Sequence, residues 1–437
     1  MRLSLVRPSM GSIDPGRRIM RHCMQPLGLG VLASSTPAGF EPRLLDDCLD
    51  PVDPTADDCD AAFFGVETFA AARAYELAAV YRARGVPVIL GGYHPTLAPE
   101  EASSRADCIV LGDGEAVWPE LLADLAAGRL KSRYSGEVAS PQAGAIVDHR
   151  VFRKRRYLPA ALVQLGRGCP HRCSFCASSP YFGGRRSVRP IEEVIEEIRR
   201  NRLRNILFTD DNIAADEESL GRLCSALEGS GVRWAAQACV EIARNRALLA
   251  AMARGGCVGL LLGLEALEEK ALKEMGKRHN LAFAGDYAEP LRVLDDCGLQ
   301  AWGAFTIGYD ADTEESILAR LDFAIGAGLT MAAFNLLMPY PSTGFYRALA
   351  DEGRLLYGGA WWLDPGYRYH APAYRPLRMS PDRLSELAWH CNRRFYGAAS
   401  AARRFAANRV NRLPLGNLLR YLLYNAAYQA SMRGGGA

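Results

Sequence analysis

The segment Gly166-Arg167-Gly168-Cys169-Pro170-His171-Arg172-Cys173-Ser174-Phe175-Cys176 sets three cysteines within eight residues, directly behind a β-rich run at 162–165. Thiolates are ligands for soft metals, and a cubane iron-sulfur cluster takes four of them. Three local thiols with no evident fourth leave one iron open to an external molecule. Chance spacing is a poor account of such a trio in a chain with 12 cysteines. A zinc site is the structural alternative, with His171 as an added ligand, but zinc knuckles come in pairs and no second Cys-x-x-Cys is present. A ferredoxin-like cluster needs a further cysteine nearby.

Outward from this loop the chain alternates. Runs at 162–165, 205–209, 234–239, 258–264, 300–307 and 330–337 read as strands; 191–200, 217–227, 247–253, 283–296 and 314–325 have helical periodicity. Six strands separated by helices predict a partial (β/α)6 TIM-like barrel over 159–345, with chemistry at the carboxyl ends of its strands. Upstream, strands at 61–66, 86–90 and 108–111 alternate with a helix at 70–84. Each of the last two strands runs into glycine, which predicts an N-terminal doubly wound, Rossmann-like α/β domain over 1–135. Its ligand-facing loops are Glu67-Thr68, Gly91-Gly92-Tyr93-His94 and Gly112-Asp113-Gly114-Glu115. Periodicity lapses over 136–158, where Gly136, Pro141 and the basic run 150–156 read as a linker. From 346 to 437 the pattern is helical and irregular.

The chain of 437 residues exceeds what one hydrophobic core usually supports, so more than one domain is expected. A net charge of +3 is too small to make nucleic acid the general partner. No signal-peptide core and no run of ~18 apolar residues appear, which predicts a cytoplasmic protein without a transmembrane segment. The nine cysteines outside the loop, Cys239 among them, read as small core residues. From Cys391 onward there are eight arginines and no acidic residue. Such a segment binds a membrane surface or an anionic substrate, or forms a solvated face whose apolar side packs on the domain; the last is the working expectation.

The Cys-x-x-x-Cys-x-Phe-Cys loop behind the first strand of a βα series resembles the signature of the radical S-adenosylmethionine (SAM) superfamily. The order of Pro26-Leu27-Gly28, Gly91-Gly92-Tyr93-His94-Pro95-Thr96, Gly112-Asp113-Gly114-Glu115, Phe208-Thr209-Asp210-Asp211-Asn212, Gly263-Leu264-Glu265 and Met338-Pro339-Tyr340-Pro341 resembles its cobalamin-binding-domain class. The resemblance implies a [4Fe-4S] cluster on Cys169, Cys173 and Cys176, and SAM on its open iron. It implies reductive cleavage of SAM to a 5′-deoxyadenosyl radical, with the protein supplying orientation and exclusion of water.

Phe175 would then lie against adenine or pack in the core. Asp210, Asp211 and Asn212 would hold the SAM amino and carboxylate groups or cap a helix. Glu265 would take ribose hydroxyls or an internal salt bridge, and Gln237 follows the same logic. Gly308 would let backbone approach adenine or make a strand-end turn. Thr68, Gly91, Gly92, His94, Gly112 and Glu115 would face cobalamin, with His94 alternatively an ordinary hydrogen-bonded histidine. The Asp-x-His-x-x-Gly cobalt-ligating motif is absent, and Asp46-Asp47-Cys48-Leu49-Asp50, where it would be sought, has no histidine.

The implied activity is a transferase, most readily a cobalamin-dependent methyltransferase acting on a small-molecule biosynthetic intermediate, reduced by a donor such as flavodoxin or ferredoxin. Transfer of the 3-amino-3-carboxypropyl group to a thiolate or arsenite, and a non-catalytic sensor, are the alternatives. In similar enzymes the C-terminal region closes the substrate side, which points to Trp361, Trp362, Tyr367, Tyr369 and His370 as pocket residues.

Overall fold

The computed structural model describes residues 1–10, 23–138, 146–153 and 156–434, with side chains up to 430. Parts of the predicted linker, including Pro141 and two positions of its basic run, lie outside the described residues.

The N-terminal sheet has six strands: β1 (Arg2–Arg7), β2 (Glu41–Asp46), β3 (Ala61–Gly65), β4 (Val88–Gly91), β5 (Cys108–Leu111) and β6 (Arg133–Ser135). Their order is β2-β1-β3-β4-β5-β6 and every pairing is parallel. Three of these, β1, β2 and β6, had no counterpart among the sequence-predicted strands. Leu3, Leu5 and Val6 of β1 have no exposed surface, and the helices Ala71–Ala83 and Trp118–Ala126 pack against the sheet. Strand order reverses between β1 and β3, and ligands of such sheets gather in the crevice at that point. The sequence expectation placed the missing cobalt-ligating motif near Asp46, but this residue ends the edge strand β2. The loop at the switch point instead follows β1, and residues 11–22 of it lie outside the described residues.

The second unit opens with β7 (Ala161–Val163), followed by a short antiparallel ribbon of β8 (Gly166–Arg167) and β9 (Ser187–Val188). Then come β10 (Asn205–Phe208), β11 (Arg233–Ala238), β12 (Cys257–Glu265), β13 (Gln300–Ile307) and β14 (Met331–Leu336). The order β14-β13-β12-β11-β10-β7 is all parallel, and β7 and β14 do not meet, so the barrel is open. All six predicted barrel strands are present. Their apolar runs are buried on both sides because helices cover one face and strand side chains fill the other.

The C-terminal region carries helices Pro381–Phe395, Ala398–Ala407 and Leu415–Gly434. The first lies on β14, where Asn392 exchanges hydrogen bonds with the backbone of Phe334. Arg404, wholly buried, donates to the carbonyls of Leu329, Thr330 and Phe395 and to Asn425 Oδ1. The expectation that the last helix packs its leucines inward does not hold. Asn417, Tyr421 and Asn425 face the protein, while Leu415, Leu419, Leu422 and Leu423 are exposed.

Candidate active site

The cysteine loop is fixed from beneath by two adjacent carboxylates at the end of β10. Asp210 accepts the backbone N–H of Leu165 at 3.0 Å and of Gly166 at 2.5 Å. Burial raises its carboxyl to about 7, against the pull of those donors. Asp211 accepts the N–H of Gly168 at 3.0 Å and, on its other oxygen, the hydroxyl of Ser178. These two donors flank all three signature cysteines. Gly168 has φ +81°, and a Cβ there would sit 2.1 Å from the carbonyl oxygen of Arg185, so this turn admits only glycine. Asn212 caps the short 3-10 turn Ile213–Ala215 and also accepts the N–H of Cys239. Asp210 and Asp211 thus act on the loop backbone, and Asn212 is a cap.

Cys173 is buried, and burial pushes its thiol up to about 12; Cys176 is shifted the same way. Cys169 is lowered, chiefly by a hydrogen bond with the Cys239 thiol, which is itself raised. Cys239 follows β11 at the barrel mouth and is therefore no ordinary core cysteine; its position just past a strand end was the available signal. Tetrahedral zinc with ~2.3 Å bonds needs its sulfurs within about 4 Å of one another. Among the described residues, the one trio of such donor atoms within 4.8 Å of one another is His171, Cys239 and His279; the signature thiols stand wider apart. Three thiols carried on one loop are the donor set that fits [4Fe-4S] with three protein thiolates. His171 and His279 stack at 3.7 Å, and burial lowers the basicity of both.

Glu265 ends β12 with φ +64°, a left-handed conformation rare outside glycine. Its Oε1 accepts from Lys277 Nζ at 2.6 Å and its Oε2 from Thr306 Oγ1 at 2.6 Å. The internal salt bridge is thus present, and sequence reading had not found Lys277. Burial alone would lower this ammonium, but Glu265 and the nearby thiols hold it above its usual value. Gln237 is exposed on the barrel's inner side and donates to the carbonyl of Asp211 at 2.9 Å. Phe175 packs on the barrel core, edge to face with Tyr309. At Gly308 the expected close backbone approach is blocked on the Cβ side. Tyr374 Oη would lie 2.2 Å from a Cβ there, and it donates to the Gly308 carbonyl at 2.6 Å.

The first domain meets this loop through Arg167. Its guanidinium lies 2.5 Å from Glu115 and 3.0 Å from Asp113, all largely buried. Glu115 is therefore committed to an ion pair. His94 is fully buried and bonded to Tyr75 and Glu101, with Glu101 also accepting from Trp362 Nε1. It ties the C-terminal region to the first domain and does not face a ligand space. Gly92 needs its φ of +108° because a Cβ would strike the Val66 carbonyl, and Gly112 is closed by the Gly136 carbonyl. Gly91 has only Val110 near it, at 3.6 Å, and Thr68 is buried at the head of a 3-10 turn.

Glu67, just past β3, keeps solvent-accessible surface, yet the protein crowded around it raises its carboxyl. Burial raises the Tyr340 hydroxyl, and the nearby Glu67, Tyr369 and Cys176 add to that shift. Phe69 contacts Tyr340, Trp361, Tyr367 and Tyr369, so the aromatic side chains near the C-terminal region pack on the first domain. Trp361 and Trp362 are themselves buried, and His370 packs on Trp389.

Residues 163–324 match the family model of the Radical SAM superfamily. The chain is 26% identical over 398 residues to bacteriochlorophyllide d C-12(1)-methyltransferase of Chlorobaculum tepidum, spanning 88% of this chain and 86% of that protein. It is 28% identical over 351 residues to the C-8(2)-methyltransferase of the same organism (75% and 76%) and 24% identical over 360 residues to hopanoid C-2 methylase of Rhodopseudomonas palustris (76% and 66%). Two solved structures share the fold across both units. TsrM from Kitasatospora setae, with cobalamin and a [4Fe-4S] cluster bound, aligns with TM-score 0.61 at 18% identity over 94% of this chain and 89% of that one. OxsB with aqua-cobalamin and SAM bound aligns at 0.68 and 13% identity, over 97% and 72%.

Proposed function

We propose that this chain, a radical SAM enzyme, is a cobalamin-dependent methyltransferase that alkylates carbon on a hydrophobic biosynthetic intermediate. The observation that carries the reading is the junction of the two units: Arg167, on the cysteine loop, is ion-paired with Asp113 and Glu115 of the first sheet's loop, so the cysteine loop lies directly against the parallel N-terminal sheet. Relatives named for bacteriochlorophyllide d and hopanoid methylation support a large apolar substrate, as do the aromatic side chains around Phe69.

When bound, the cluster with SAM supplies one-electron cleavage of a carbon-sulfur bond, and cobalamin supplies methyl transfer. The residues of the chain position and insulate. Asp210 and Asp211 hold the loop backbone so that the three thiols keep their spacing. Lys277 orients the Glu265 carboxylate at the barrel mouth, and Gln237 presents an amide on the same side. Thr68, Gly91 and Gly92 flank the crevice on the first sheet, where Gly91 leaves room for a ligand. Phe69, Tyr340 and Trp361 exclude water from reactive species. Glu67, with its raised carboxyl, is the group able to take or give a proton there. A one-electron donor such as flavodoxin or ferredoxin completes the cycle.

The test is anaerobic reconstitution with iron, sulfide and hydroxocobalamin, followed by reduction with SAM deuterated at its methyl group and an apolar tetrapyrrole or triterpenoid. Labelled methyl in the product, with S-adenosylhomocysteine and 5′-deoxyadenosine, is expected. Methylthioadenosine as the sole nucleoside product would overturn the assignment in favour of aminocarboxypropyl transfer.

A further inference from the structure

The helix Leu415–Gly434 turns a row of leucines toward solvent. Its protein-facing side mixes polar and aromatic groups: Asn417, Tyr421 and Asn425, at four-residue spacing, are buried, while Tyr424 and Tyr428 pack on Trp302 and Tyr396. That side is held by hydrogen bonds. Gln300 donates to the Asn417 carbonyl at 3.0 Å, Tyr421 donates to the Ala401 carbonyl at 2.6 Å, and Asn425 accepts from Arg404 at 2.6 Å. The outward stripe is apolar. Leu415, Leu419, Leu422 and Leu423 are between 51 and 66% exposed, and Leu413, just ahead of the helix, is 57% exposed. Ala426 and Ala430 continue the same face, which extends about 22 Å at 1.5 Å per residue.

Such a contiguous apolar strip on a water-exposed surface marks an interaction site. Its charge says with what. Arg403, Arg409 and Arg412 are exposed next to it in sequence, and no acidic residue occurs after position 390. The ion pairs that occupy other exposed arginines of this region, Arg383 with Glu314 and Arg394 with Asp322, have no counterpart at these three among the described residues. No helix among the described residues is long and apolar enough to cross a bilayer. We infer that this face lies on an anionic lipid bilayer, with the leucines in the acyl boundary and the arginines at the headgroups. The inference does not depend on the reaction catalysed.

The test is flotation of the anaerobically purified, cluster-loaded chain with vesicles of phosphatidylcholine, alone or mixed equally with phosphatidylglycerol. Binding to the mixed vesicles is expected, with little to the neutral ones, and it should weaken as salt rises. Replacing Arg403, Arg409 and Arg412 by Gln should weaken partition about a hundredfold, roughly a fivefold step for each basic group. The L419E/L423E variant, altered only at exposed positions, should keep its cluster absorption and its melting temperature but lose vesicle binding. Absence of binding to either vesicle would overturn the proposal. So would equal binding to both, or a dimer in solution that L419E/L423E dissociates.

Discussion

Arg167, two residues ahead of the first cluster cysteine, stands 3.0 Å from Asp113 of the N-terminal domain, with Glu115 closing the other side of the same guanidinium. One cation thus neutralises two carboxylates in a place where none of the three has free access to water. Removing it strands both, and breaking such a buried pair costs about 3–5 kcal/mol. The R167A variant should show that loss in urea unfolding, together with lower iron content after reconstitution. Adding D113N and E115Q to R167A should recover much of the stability, because no uncompensated charge remains.

Four thiols converge at the barrel mouth, but they are not equivalent. Cys169, Cys173 and Cys176 sit on the loop that Asp210 and Asp211 clamp, whereas Cys239 reaches it from β11. Alanine at any of the first three should abolish cluster absorption and SAM cleavage. C239A should retain iron and sulfide close to wild type. Equal loss of cluster in C239A would make it a fourth ligand and deny SAM an open iron.

Much of the barrel was legible because its strands are continuous apolar runs ended by polar residues, a pattern that burial on both faces imposes. The N-terminal sheet was less so. β1 reads as Arg-Leu-Ser-Leu-Val-Arg, too short and mixed to stand out, and β2 has only Leu44 and Asp46 buried. The cysteine loop was visible because its ligands are neighbours in sequence. His94 was not, since its partners Tyr75, Glu101 and Trp362 come from three separate segments, one of them in the C-terminal region. Lys277 likewise gains meaning only from Glu265, twelve positions away in another element. The exposed leucines after 413 escaped because a helical stripe in sequence does not say which side faces water.

The pair of Lys277 and Glu265 offers a second charge test, now beside the Cys173 thiol. K277M leaves the Glu265 carboxylate with Thr306 as its remaining donor in a buried site. A loss of about 3–5 kcal/mol is expected for the single variant. The double variant K277M/E265Q removes both charges and should lose distinctly less stability while still failing to bind SAM, measured by equilibrium dialysis. If the double variant binds SAM normally, the pair is structural only.

Glu67 makes a pH-dependent contribution whose sign follows from its enclosure. Burial disfavours its charged form, so the carboxyl in the folded protein titrates above its unfolded value, with Arg7 opposing this only in part. The folded state then binds the proton more tightly than the unfolded one. Stability from this group is fully present below the unfolded pKa and is lost as pH rises through the higher folded value. E67Q cannot ionise and escapes that loss. Its melting temperature should therefore match wild type in mild acid and rise above it progressively toward alkaline pH. The proton-transfer role proposed for Glu67 predicts that methyl transfer falls in E67Q at every pH and loses the corresponding limb of its pH-rate profile. A melting difference independent of pH would place Glu67 in open solvent, and an unchanged rate profile would remove it from the reaction.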